Sequence, residues 1–118
     1  MKILFLCVVL CFNFVFSVKA DDFQEACVCY QRADFTNSHW YKVKGLLVEG
    51  SDLNDIALKN GYYSNYNSWQ TYFVIPWKEG VYSALEIPFG DSLPFVDTRT
   101  TDQEGKVWYV KEGWIGCY

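Results

Sequence analysis

One histidine in 118 residues, His39, leaves the chain short of the usual general base for chemistry near neutral pH. Beside Trp40, at the start of an apolar run, it is expected to be structural or solvent-facing. Also absent are a Gly-x-Ser-x-Gly nucleophile turn, a phosphate-binding loop and a His-rich metal pattern. A carboxylate pair for glycoside hydrolysis would have to be assembled by the fold, and fourteen scattered acids are ordinarily a solvated face. The expectation is a protein that is not an enzyme and uses no cofactor.

Long apolar runs are scarce too. The single one, Ile3 to Phe16, follows Lys2 and precedes Val18-Lys19-Ala20, the pattern of a secretory signal peptide cleaved after Ala20. It is short for a membrane span of about 20 residues. Residues 21–118 are therefore expected to be secreted and extracellular, with no membrane attachment after signal cleavage. Without Lys2 and Lys19, eight Lys and Arg stand against fourteen Asp and Glu, a net charge of −6 spread without runs. That balance disfavours nucleic acid and anionic membranes as partners. Asn-x-Ser/Thr acceptors, internal repeats and low-complexity segments are missing.

Cysteine is limited as well. With the leader removed, Cys27, Cys29 and Cys117 remain, an odd number that implies one bridge and one spare thiol in an oxidising compartment. Cys27 or Cys29 bonded to Cys117 would tie the two ends of the chain, worth roughly 4 to 5 kcal/mol by loop-closure entropy. Both point to the same face of a strand, so geometry leaves the choice open. The spare thiol would permit a disulfide-linked dimer. Cys-x-Cys with the lone His39 is a poor metal set, and no metal is expected.

What the chain has in plenty is aromatic side chains, 19% of its residues, with all five Trp and most of the nine Tyr after residue 39. So many are hard to hide in a core this small, and some are expected to face a ligand. The most sharply marked segment is Gly50 to Gly61, a short helix. Ser51 or Asp52 can cap its start, Asp55 follows in capping-box position, and Leu53, Ile56 and Ala57 fall on one face. Lys59 suits the last turn and Asn60-Gly61 a left-handed end. Asp21 to Arg32 and Trp40 to Val48 read as strands. Ser68 to Ile75 carries both a helical pattern, Trp69, Tyr72 and Phe73, and β-rich composition; a helix is expected. Trp77 to Ser83 reads as loop, Ala84 to Val96 as short strands around Pro88 to Asp91, and Asp97 to Glu104 as a polar hinge. Gly105 to Tyr118 reads as a hairpin turning at Lys111-Glu112-Gly113.

The order strand, Gly-Ser-Asp-Leu turn, helix, helix-like segment and final strand resembles the lysin motif (LysM) family. The residues that carry the likeness are Tyr41-Lys42-Val43, Gly50-Ser51-Asp52-Leu53, Asp55-Ile56-Ala57 and Asn60-Gly61. Ile87, Gly90, Leu93 and Val96 echo its closing pattern. The final hairpin is similar to the last strands of bacterial-type Src-homology-like barrels. The resemblance implies an α+β fold: a small βααβ LysM-like domain over residues 40–97, with an N-terminal arm or strand at 21–39 and a C-terminal hairpin at 98–118, stapled by one disulfide. It further implies binding of chitin or peptidoglycan oligosaccharides, polymers of N-acetylglucosamine, in a shallow groove. Gly50, Ser51, Asp52 and Leu53 would form one wall, with Pro88, Phe89 and Gly90 as the other; Trp77 and Tyr82 in the intervening loop are stacking candidates. The bland counterpart keeps Leu53 and Phe89 as core and Asp52 as a cap. The expected function is thus a secreted, non-enzymatic carbohydrate-binding protein. The alternatives are a structural or interaction protein of an extracellular matrix and a secreted defence or toxin-like protein.

Overall fold

The β-rich runs of this sequence need partners for their backbone groups, and they find them in one another. A computed structural model describes residues 23–61, 63–88, 90, 92–113 and 117. Its elements in chain order are β1 (Gln24–Tyr30), β2 (Tyr41–Glu49), α1 (Gly50–Lys59), β3 (Thr71–Lys78), β4 (Val81–Ile87), β5 (Thr98–Thr101) and β6 (Val107–Glu112). The six strands form one antiparallel sheet in the order β4-β3-β2-β1-β6-β5. Each strand lies beside its neighbour in sequence except β4 and β5, so the sheet curls into a half-barrel with one seam, between β4 and β5.

Period-two alternation decides which side chains fill the curl. Ala26 and Val28 of β1, Phe73 and Ile75 of β3, Leu85 and Ile87 of β4, and Trp108 and Val110 of β6 share one buried cluster. Tyr41, Val43 and Leu47 of β2 pack against it, and Leu93 joins it from the β4–β5 connection. Gly45 is needed in that layer: a Cβ there would stand 2.8 Å from the Phe73 ring and 2.5 Å from the Val74 carbonyl oxygen. The opposite, convex face carries a second cluster in which Leu53 of α1 packs on Tyr72 and Ala84, with Val48, Tyr66, Val74 and Tyr82 around them.

This architecture corrects the expected α+β βααβ arrangement: the protein is mostly antiparallel β with one short helix among the described residues. The segment expected to be a second helix contains the start of β3. Tyr72 and Phe73, placed on one helical face by the i, i+3, i+4 spacing, point to opposite faces of the sheet because the ladder with β2 and β4 outweighs local pattern. The expected loop at Trp77 to Ser83 is the β3–β4 hairpin, tight at Glu79-Gly80, with Gly80 at φ +78°. The expected polar hinge holds β5, and Lys111 and Glu112 lie within β6, not in a turn. The true hairpin here is β5–β6.

At the helix start the observed cap is Glu49, extended and without a side-chain hydrogen bond; Ser51 and Asp52 already lie inside the helix. Gly50 begins it because the 67–70 segment crosses above: a Cβ would stand 1.9 Å from the Asn67 oxygen, and Gly50 N–H donates to the Gln70 carbonyl at 2.8 Å. The bridge is Cys27–Cys117, with Cα atoms 5.5 Å apart, and among the described residues Cys29 is free and buried. The segments 21–39, 40–97 and 98–118 all contribute strands to the single sheet. The leader, residues 1–20, and the last arm of the expected C-terminal hairpin, residues 114–116 and 118, lie outside the described residues.

Candidate functional site

The residues expected to bind ligand fall at the two ends of the half-barrel. Glu49, Thr71 and Ile87 are side by side in the ladder, so the Gly50–Leu53 turn and Pro88 sit at the same end, about 10 Å apart across β3. The space between them is spanned by Gln70: its backbone carbonyl accepts from Gly50 N–H, and its Nε2 donates to the Ile87 carbonyl. Gly50 and Leu53 are buried, Ser51 is partly covered, and Asp52, Pro88 and Gly90 are exposed. Phe89 lies outside the described residues. Leu53 is held against Tyr72 and Ala84, as a core residue would be.

Trp77 and Tyr82 lie about 20 Å away, at the other end of β3 and the start of β4. They are on opposite faces. Tyr82 is on the convex side, where its hydroxyl is 2.6 Å from that of Tyr66. Burial, then this hydroxyl contact, pushes the Tyr66 phenol well above the usual tyrosine range. Asn54 of α1 fixes the strand-like segment above it, donating to the Tyr66 carbonyl at 2.8 Å and accepting from Tyr66 N–H at 3.0 Å.

Trp77 instead turns inward and spans the mouth of the curl. Its ring lies 5.9 Å from that of Trp108 at 20°, although β3 and β6 are not neighbours in the sheet. Its Nε1 donates to Ser83 Oγ at 2.8 Å, and 41% of Trp77 stays exposed. Tyr30, opposite Trp108 in the ladder, meets its ring edge-on at 5.6 Å and 66°. Tyr41 lies parallel to Tyr30 at 6.3 Å, and His39 stands 4.3 Å from Tyr41. Burial and the Tyr30 hydroxyl push the Tyr41 phenol up, with Arg32 opposing. Four strand ends thus deliver five aromatic rings to one end of the molecule.

The charges around that end are arranged unevenly. Lys106 Nζ lies 4.1 Å from the Tyr30 ring centre and 5.5 Å from that of Trp108. Arg32 Nη1 donates to the Asn37 carbonyl at 2.7 Å. Two carboxylates in the adjoining turns accept from neutral donors, and the charge of Arg32 also helps to hold one of them, Asp34, ionised. Asp102 accepts from Trp108 Nε1 at 2.9 Å and from the backbone of Glu104 and Lys106. Asp34 accepts from the Thr36 hydroxyl at 2.6 Å and Thr36 N–H at 3.1 Å, which holds its carboxyl below the usual range. Among the described residues no cluster of three or more His, Cys, Asp or Glu could hold a metal ion.

An assembly of exposed ring face, hydroxyls and cations can cover the CH face of a flat ligand while pairing its polar rim. It escaped sequence reasoning because its members are spread from residue 30 to residue 108 and meet only when the sheet curls. The signal available was local: Tyr30, Tyr41, Trp77 and Trp108 each stand near a strand end, beside a turn. The chain matches no protein-family model, no curated protein and no solved structure.

Proposed function

We propose that this is an extracellular, non-enzymatic carbohydrate-binding protein whose sugar stacks on Trp77 at the aromatic end of the half-barrel. The observation that carries the reading is the Trp77–Trp108 stack, which holds an indole across the mouth with one face open. An indole fixed by a hydrogen bond and a packed neighbour loses little freedom when a ligand covers it. Polymers of N-acetylglucosamine, chitin or peptidoglycan, are the first ligands to try, on the strength of the lysin-motif likeness at residues 41–61. Retention of the protein on insoluble chitin or peptidoglycan, lost on Trp77→Ala and kept on Asp52→Ala, is the expected result. Retention on neither polymer, with the fold intact, removes N-acetylglucosamine polymers as the ligand.

A second reading, a protein-interaction component of an extracellular material, draws on four side chains that stand almost free of the fold. Phe35 is 80% exposed, Tyr63 89%, Trp69 92% and Phe95 84%. The spare cysteine through which a disulfide-linked dimer would form, Cys29, is buried. Co-sedimentation with matrix protein but not with glycan would favour it.

A further inference from the structure

We propose that the ligand of the aromatic end is an acidic glycan, its carboxylate or sulfate taken by Lys106 and Arg32 while the sugar ring covers Trp77. This rests on the carbohydrate reading above and adds the charge of the ligand to it. Tyr30 pairs with Trp108, and one step further Gln31 N–H donates to the Val107 carbonyl at 3.0 Å. Arg32 follows Gln31 and Lys106 precedes Val107, so both cations stand just beyond this end of the β1–β6 pair.

The salt bridges among the described residues are Lys42–Glu25 and Lys111–Asp97, and neither involves Lys106 or Arg32. Asp34 and Asp102 accept from Thr36, from Trp108 and from backbone N–H groups, and although the charge of Arg32 helps hold Asp34 ionised, neither carboxylate forms a salt bridge with Lys106 or Arg32. Lys106 rests instead on the face of Tyr30, exposed to solvent, with its ammonium 5.5 Å from the Trp108 ring on which Trp77 stacks. In a chain with more acids than bases, Lys106 and Arg32 stand at the aromatic end without a salt bridge of their own. The complementary partner is a saccharide carrying negative charge.

Calorimetric titration with three hexasaccharides tests this: chitohexaose, neutral; hyaluronan, with uronate and no sulfate; and chondroitin sulfate, with both. At about 50 mM salt an acidic hexasaccharide should bind about tenfold more tightly than chitohexaose, with the margin shrinking as salt rises. Lys106→Met should erase that margin and Lys106→Arg keep it. Lys44→Met, the same loss of charge on the convex face, should change nothing. Preference for hyaluronan over chitohexaose assigns the carboxylate; preference confined to chondroitin sulfate assigns the sulfate. Equal affinity for all three, indifferent to Lys106→Met, overturns the acidic-glycan assignment and leaves a neutral-sugar site. Failure of all three to bind overturns the carbohydrate reading itself.

Discussion

The side-chain amide of Gln103 pairs with β4 at Ala84 as a neighbouring strand would. Its Oε1 accepts from Ala84 N–H at 2.8 Å and its Nε2 donates to the Tyr82 carbonyl at 2.8 Å. Thr100 of β5 adds a third link, its hydroxyl donating to the Glu86 carbonyl at 2.5 Å. The backbone groups of Tyr82, Ala84 and Glu86 turn the same way along β4, toward the seam. A sheet edge left open is a template for pairing with another chain. Here two side chains cover it, and the half-barrel is closed without a backbone ladder between β4 and β5.

Gln103→Leu removes both amide links at once and leaves a backbone donor and acceptor at the seam without that partner. A loss of about 1–3 kcal/mol in urea-induced unfolding is expected, with faster hydrogen exchange at Ala84 N–H. Gln103→Glu keeps the acceptor and loses the donor, so it should restore protection at Ala84 in part. Unchanged exchange at Ala84 in Gln103→Leu would mean that the seam is held by something else.

The Cys27–Cys117 bridge spans 90 positions of sequence, nearly all of the described chain. Cys117→Ser should therefore cost about 3–5 kcal/mol, chiefly by freeing the unfolded chain. Cys29 should behave differently. Burial first, and then the charge of Asp97, push its thiol above the usual range, with Lys111 opposing. Maleimide labelling at neutral pH should be slow in the native protein and fast in denaturant. Fast native labelling would contradict the packing around Cys29.

Where a segment's structure is decided by its own residues, the sequence is a fair guide. The helix follows from Leu53, Ile56 and Ala57 on one face and from Gly61, which takes φ +80° just past its end. The strands around Cys27 and Val43 follow from alternation. The 68–75 segment fails for a different reason. Trp69 is fully solvated at one end of it while Phe73 is buried, and only the ladders with β2 and β4 decide between the two patterns it carries. β5 is only four residues long, and a strand that short has no period to display. The aromatic end is illegible for the same reason: Trp77 and Trp108 are brought together by curvature, which no local pattern encodes.

Leu53 and Asp52 separate packing from binding within one helical turn. Leu53 is buried against Tyr72 and Ala84, whereas Asp52 is exposed near the helix start. Leu53→Ala should cost about 2–4 kcal/mol, the range for removing a core leucine. Asp52→Ala gives up only a favourable charge at the dipole, about 0.3–1 kcal/mol. Neither should alter glycan affinity by more than its effect on the folded fraction. A specific loss of affinity in Leu53→Ala at unchanged stability would return the site to the Gly50 end.

Alkaline pH should weaken the fold through its tyrosines. Burial raises the phenols of Tyr66 and Tyr72, and at Tyr66 the hydroxyl of Tyr82 adds to the effect. In the unfolded chain these groups ionise near the ordinary value of 10.0. Above that pH the unfolded state has released protons that the native state still binds, so stability falls as pH rises. Below it both states are neutral, and the contribution is fully present. Urea midpoints measured between pH 8 and pH 11 should drop in the native sequence and drop less in Tyr66→Phe/Tyr82→Phe. Every other titrating group is common to both proteins, so the difference between the two slopes reports the raised phenol of Tyr66. Equal slopes would mean that Tyr66 ionises as freely in the folded protein as in the unfolded chain, against its burial and its hydroxyl contact with Tyr82.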